Sequence, residues 1–437
     1  MITAGVALSH GTRLIAIGAA YKAKILCSEV FVAGRNVDAV QADLVVDDLA
    51  ALRFIDASIS ENSNAAIASF YGFAESEVRY REVTGCTLVN DETAPAAIET
   101  NLLQPGVVQP LETSTEVNAE LESVLDDAFI ESDPEFLKRT RAVVILHQGR
   151  IVTERYAADI GPETPMPGWS MTKSVMNALT GILVKQGVLT VNTKALSGTG
   201  LEICDLRSKI TIEHLLHMTS GLAFNEDMAD PLADVSHMLL KESDMAEFAA
   251  RKPLEAEPGV RWQYSTGTSN ILAGTLRRVL GEQAYHNFPK ATLFYPLGMT
   301  KAVLEVDASG TFVGSSFMYA TAREWARFGL LYLQDGIWNG ERIFPEGWVN
   351  YSTTHAPANH QANYGAHFWL DIQEAYRGDQ NLLPPDAFHA IGHEGQFVTI
   401  VPSHETVIVR LGKTRYPQAW KHDGFVRDVL EVLDSTR

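Results

Sequence analysis

The sequence predicts an α/β fold: an antiparallel sheet flanked by helices, carrying a mostly helical insertion and preceded by a small β-rich extension. Three observations carry this. Hairpin patterns stand near both ends of the C-terminal part, at Ala142–Tyr156 and Phe397–Leu411. Between them, from Val188 to about Met299, the pattern is mainly helical with Gly and Pro punctuation. The chain closes on an amphipathic stretch in which Phe425, Val426, Val429, Leu430 and Leu433 repeat at helical spacing. Strands and helices that enclose a helical middle make an α/β domain with an insertion.

Residues 1–110 read as the β-rich extension. Strand-like runs at Leu52–Ser60, Ala65–Phe73 and Glu77–Val89 are separated by polar turns, which suggests an antiparallel meander. Asn101 to Thr115 reads as a linker. The main domain spans 115–437, with the helical insertion at about 188–299. It opens on a helix from Thr115 to Ile130. A hairpin follows, with Ala142–His147 and Ile151–Tyr156 joined at Gln148-Gly149, and then a long helix from Ser170 to Gly187.

Bulk composition narrows the partners. The 437 residues are 46% hydrophobic and 20% charged, an ordinary globular balance, and the formal net charge is −19. Such a charge disfavours nucleic acid and anionic membranes, which repel it, and reads most simply as a solvated acidic surface that aids solubility. A homo-oligomer stays open. No apolar stretch reaches the ~20 residues of a spanning helix. Met1 to Lys22 lacks a long apolar region and a clear cleavage site, so a cytoplasmic location is expected, with a periplasmic one as the alternative. Cys27, Cys86 and Cys204 are too few for a disulfide scaffold; reduced thiols are the simpler expectation and a Cys27–Cys86 bridge the sharper one.

Three local patterns carry the chemistry. In Ser170-Met171-Thr172-Lys173 a hydroxyl and an amine share one face of a helix start, where the N–H groups and dipole favour developing negative charge. An amine kept near neutral by burial can take the serine proton. The bland alternative is a capping serine followed by a surface lysine. Tyr264-Ser265-Thr266 opens a second helix, and a phenol can relay a proton. His393-Glu394-Gly395-Gln396 precedes the closing hairpin; its glycine permits close approach of a substrate, and the Gln396 N–H can pair with that of Ser170 as an oxyanion hole.

Taken together and in this order, the three patterns resemble the S-x-x-K, Y-x-N and K-T-G boxes of penicillin-recognising serine enzymes. The form with tyrosine is similar to class C β-lactamases, D,D-peptidases, family VIII esterases and, most closely, 6-aminohexanoate-oligomer hydrolases. Glu213–Leu222 and Thr321–Gly329 resemble two supporting segments of that family. The resemblance covers about residues 115–437. It implies a β-lactamase-like fold and an esterase or amidase that acts on a small-molecule ester or amide substrate through an acyl-enzyme at Ser170. Lys173 and Tyr264 would shuttle protons, the N–H groups of Ser170 and Gln396 would hold the oxyanion, and no cofactor or metal would be needed. Trp169, His393, Gly395, Ser315 and Ser316 would line the substrate site.

Two departures bear on substrate. Thr266 stands where the family has Asn, and His393 where K-T-G has Lys. In β-lactamases that Lys helps bind the substrate carboxylate, so weak β-lactam hydrolysis is expected. Met228 stands where the aminohexanoate relatives carry a Tyr. A β-lactamase, a D,D-peptidase and a non-catalytic acylated sensor are the competing functions. His214 and His217, three apart, lack H-E-x-x-H and read as structural.

Overall fold

In the computed structural model, residues 2–90, 104–116, 118–199, 205–378 and 383–435 are described here. Cys204 and part of the linker region, residues 101–103, lie outside them. The chain divides into two compact units: residues 1–101, 194–287 and 303–319, and residues 102–193, 288–302 and 320–437. The elements used below are, in chain order, α1 (Ile2–Cys27), β1 (Asp56–Ser60), β2 (Ala65–Phe70), β3 (Phe73–Arg81), β4 (Gly85–Val89), α2 (Ala119–Phe129), β5 (Thr140–His147), β6 (Arg150–Tyr156), α3 (Met171–Lys185), α4 (Thr266–Leu280), α5 (Ala322–Leu333), β7 (Phe388–Gly392), β8 (Gln396–Val401), β9 (Thr406–Gly412) and α6 (His422–Ser435).

In the first unit, β1 to β4 form an antiparallel meander in sequence order. Strands form within all three runs expected from residues 52–89, but Leu52–Phe54 end a 3-10 helix, β3 already starts at Phe73, and the third run is split between β3 and β4. The extension is not simply β-rich, however: α1, a 26-residue helix, packs on the sheet. Alternating polar and apolar runs reveal strands, whereas the Ala-, Gly- and Lys-containing start of the chain shows no sharp apolar stripe to announce a helix. Cys27 at the end of α1 is disulfide-bonded to Cys86 in β4, so the sharper expectation replaces that of reduced thiols. Closing a loop with a sequence separation of 59 contributes about 4 kcal/mol on the chain-entropy account. Beside it, Glu305 pairs with buried Lys24 and accepts from Ser28 Oγ at 2.9 Å and Cys86 N at 2.7 Å. Gly85 has no side chain because the Glu305 carboxylate fills that space, 2.6 Å from where a Cβ would stand.

The second unit is built on a five-stranded antiparallel sheet in the order β7-β8-β9-β5-β6. The β5–β6 turn places Gln148 and Gly149 at φ +50° and +78°, as a two-residue hairpin loop requires. One face carries α5, whose Gly329 lets it approach Val398 and Val407. The other carries α2 and α6, through Leu121, Leu125, Val426, Val429 and Leu430 against Val143, Phe397 and Ile408. Covered on both faces, β8 and β9 are buried at every residue and lose the alternation of a half-exposed strand.

One polar chain crosses this core. Trp420 Nε1 donates to His422 Nδ1 at 3.1 Å, and an indole can only donate. Neutral His422 therefore carries its proton on Nε2 and donates to Thr399 Oγ1 at 2.8 Å; the same hydroxyl lies 2.9 Å from His389 Nδ1. Burial pushes His389 down to about 3 and His422 well below the ordinary imidazole value. The unfolded chain then binds protons below pH about 6.5 that the folded one refuses, down to pH about 3 for His389, so stability falls with falling pH across that window. The slope is about 1.4 kcal/mol per pH unit for each histidine. Urea unfolding at pH 7 and pH 5.5 should give a loss of roughly 1–3 kcal/mol, and His389→Gln should reduce it; an unchanged unfolding free energy would contradict the assignment.

Candidate active site

Ser170 stands where a tight turn feeds α3. Met171 N donates to Gly168 O at 3.1 Å, Thr172 N to Trp169 O at 3.0 Å and Lys173 N to Ser170 O at 3.0 Å. Gly168 is obligatory, since a Cβ there would lie 2.3 Å from the Trp325 ring. Trp169 sits at φ +48°, a region that bulky residues seldom occupy and that marks a strained turn. Ser170 takes the N-cap position but makes no capping bond with its side chain. Its N–H meets no backbone acceptor among the described residues. Lys173 is 1% exposed, and its Nζ lies 3.0 Å from Ser170 Oγ. A capping serine with a surface lysine is thereby excluded.

The helix bearing this pair is pinned from behind by residues that the sequence reading did not pick out. Asn177 donates to Ala366 O at 2.8 Å and accepts from Tyr332 Oη at 2.6 Å and Trp348 Nε1 at 3.0 Å. The His367 ring meets Lys173 O at 2.8 Å, and Ser174 Oγ donates to His367 O at 2.7 Å. Buried networks of this kind are satisfied only in one arrangement, which fixes the helix rotation.

The loop His393–Gln396 joins β7 to β8. Gly392 packs so tightly that a Cβ would lie 2.2 Å from Gly168 O, which brings this loop beside the turn before Ser170. Glu394 and Gly395 both have positive φ, +62° and +76°. The Gln396 side chain is spent on the scaffold: Nε2 donates to Gly412 O at 2.7 Å and His393 O at 3.0 Å, and Oε1 accepts from Gly412 N at 3.0 Å. Arg410, fully buried, donates to Gly395 O at 2.7 Å and Lys138 O at 2.7 Å and stacks its guanidinium over Trp420. Burial lowers Arg410 to about 9. Burial alone would raise the Glu394 carboxyl; Arg415, His393 and Lys413 outweigh it and hold it below the usual glutamate value. The second unit thus brings together Ser170, Lys173, Trp169, His393, Gly395 and Gln396.

Tyr264, Ser315 and Ser316 belong to the first unit. Tyr264 precedes the N-cap of α4, Ser265, whose side chain accepts from Thr268 N at 3.2 Å. Thr266, at the family's Asn position, is held by Glu226, which accepts from its N–H at 2.8 Å and from its hydroxyl. Ser315 is fully buried, with its Oγ 2.9 Å from that of Ser316. His214 closes a capping box with Thr211, and the His217 ring meets Glu213 at 3.2 Å, both structural uses. Among the described residues no group of three or more His, Cys, Asp or Glu is arranged to hold a metal ion.

A hydroxyl and a buried amine at the start of a helix, on an antiparallel sheet with helices on both faces, are an arrangement of the β-lactamase-like fold. The chain belongs to the beta-lactamase family, whose profile matches residues 135–430. It is 24% identical over 327 residues to a 6-aminohexanoate-dimer hydrolase of Paenarthrobacter ureafaciens, covering 68% of this chain and 79% of that protein. Among solved structures it is similar to a candidate 6-aminohexanoate-dimer hydrolase from Bacillus anthracis, at TM-score 0.59 and 21% identity over 80% of this chain and 91% of the other. It also resembles EstCE1, a hydrolase with promiscuous acyltransferase activity, at TM-score 0.55 and 16% identity over 72% and 97%. At such identities the structural likeness carries the fold.

Proposed function

We propose that the protein is an esterase or amidase for short acyl compounds that forms an acyl-enzyme at Ser170. The observation that carries this is the Ser170–Lys173 pair: a hydroxyl not engaged in capping, 3.0 Å from an amine that is 1% exposed. Ser170 Oγ attacks the carbonyl carbon, and its proton passes to Lys173 and Tyr264 and on to the leaving group. The N–H groups of Ser170 and Gln396 receive the oxyanion. Water, with Tyr264 as base, then releases the acid and restores Ser170.

Substrate preference rests on His393. A lysine there would offer a permanent positive charge to a substrate carboxylate, whereas an imidazole offers a hydrogen bond and carries a charge only when protonated. Losing a charge-assisted contact costs about 1.5–3 kcal/mol, roughly ten- to a hundredfold. A panel of chromogenic esters, linear amides and a cephalosporin, run on the wild type and on Tyr264→Phe, tests the reading. The expected kcat/KM is at least about a hundredfold higher for the best ester or amide than for the cephalosporin, and Tyr264→Phe should lower it by roughly 10²–10⁴. Equal efficiency on the cephalosporin would move the function to a β-lactamase, and a single turnover to a sensor.

The Cys27–Cys86 disulfide favours the periplasmic alternative over the cytoplasmic one, because oxidising compartments maintain such bonds and the cytosol does not. No described helix is long and apolar enough to cross a membrane.

A further inference from the structure

A single carboxylate joins the loop His393–Gln396 to the turn before Ser170. Glu394 Oε2 accepts from Trp169 Nε1 at 3.2 Å, and Oε1 accepts from Arg415 Nη1 at 2.5 Å. The Glu394 and Arg415 side chains are 9% and 7% exposed. The two residues so linked, Trp169 and Glu394, both hold left-handed backbones, at φ +48° and +62°. Non-glycine residues persist there only where their surroundings over-determine the conformation. Those surroundings are visible on each side. The His393 ring stands edge-on to the indole, with centroids 5.5 Å apart. Gly168 and Gly392 press together with no side chain between them, and Arg410 holds Gly395 O from the far side of the loop.

We propose that Glu394 is a positioning residue for acylation: by tying Trp169 to Arg415 it sets the separation between the Ser170 and Gln396 N–H groups that receive the oxyanion. This rests on the reading of Ser170 as nucleophile. The peptide between Trp169 and Ser170 carries the Ser170 N–H, so rotation at Trp169 swings that donor directly. Gln396, the first residue of β8, lies two residues beyond Glu394. Oxyanion donors are effective only when fixed in place before the charge develops. The choice of a carboxylate follows from its partners. Indole N–H and guanidinium are both donors, and a carboxylate accepts at both oxygens, whereas an amide accepts at one and presents N–H₂ at the other. Glu394→Gln must therefore give up one of the two links.

The test uses Trp169→Phe, which removes the indole N–H and keeps a ring, Glu394→Gln, and the double variant. Each single change should lower kcat on a chromogenic ester by roughly 10–100-fold, with KM within about threefold, and should slow phosphonate labelling of Ser170 in parallel. Because both changes cut one link, the double variant should be no slower than the slower single one. Wild-type kcat in both single variants overturns the proposal, and so do losses that multiply in the double variant. If Glu394→Gln does not fold, Trp169→Phe decides alone through kcat and labelling rate. A Ser170→Ala variant that still turns over ester removes the parent reading; loss of turnover there, with wild-type kcat in Trp169→Phe and Glu394→Gln, removes only the role of Glu394.

Discussion

Ser170→Ala is expected to abolish ester turnover, by at least about 10⁴-fold in kcat, while the protein stays folded. Without the hydroxyl no acyl-enzyme forms, and what remains is whatever catalysis the oxyanion donors give to direct attack by water. Retention of the fold follows from how the hydroxyl is used. An N-cap serine that bonds to the first helical turn contributes about 1 kcal/mol, but Ser170 makes no such bond. Its removal deletes the part-buried contact with Lys173 Nζ, and the thermal midpoint should move by only a few degrees. A fluorophosphonate should label wild-type protein at Ser170 and leave the variant unmodified, as read by peptide mass. Wild-type turnover in the variant, or labelling at a different serine, would falsify the assignment of the nucleophile.

How much of this was legible in the sequence divides along physical lines. Local patterns were readable because their causes are local. Gln148-Gly149 between two apolar runs specified the β5–β6 hairpin, and the apolar repeat from Phe425 to Leu433 specified α6. The spacing of Ser170 and Lys173 placed both on one helical face. What spacing could not supply was burial: the same S-x-x-K on a solvent-facing turn would be a cap and a surface charge, and only packing decides between them. Partners distant in sequence were equally hidden. Trp169 and Glu394 are 225 residues apart, whereas the Cys27–Cys86 bridge was open to view only as one of two alternatives. Arginine is a residue type seldom fully buried, yet Arg410 is fully buried, with the carbonyls of Gly395 and Lys138 among its partners. The helix α1 was missed because its small residues pack closely without making a marked apolar stripe.

The turn around Ser170 breaks several local rules at once, and the breaks share one cause. A bulky residue at positive φ, a helix start whose capping residue does not cap and a lysine almost devoid of solvent are each unfavourable alone. Satisfied networks on either side, centred on Asn177 and on Glu394, offset them. Departures of this kind from local consistency are expected where function is specified at the expense of stability.

Lys173→Met separates those two quantities. Methionine is close to lysine in length, carries no charge and suits a position that is 1% exposed. Replacing the amine by an apolar side chain of similar volume removes its desolvation cost but leaves the groups it bonds to without that partner, and the two effects oppose each other. The thermal midpoint should therefore move by only a few degrees. Activity should fall far more steeply. With no amine 3.0 Å from Ser170 Oγ, the proton of the attacking hydroxyl loses its nearest acceptor, and loss of a positioned acid–base group costs roughly 10²–10⁴ in kcat. Phosphonate labelling of Ser170 should slow by a similar factor, since it needs the same proton transfer, whereas KM should change little because the amine faces the nucleophile. Lys173→Arg, which keeps a cation but offers a guanidinium that does not deprotonate in proteins, should be as inactive as the methionine variant. An arginine variant with near wild-type kcat would mean that position 173 supplies only positive charge, and the proton transfer would then have to be assigned elsewhere.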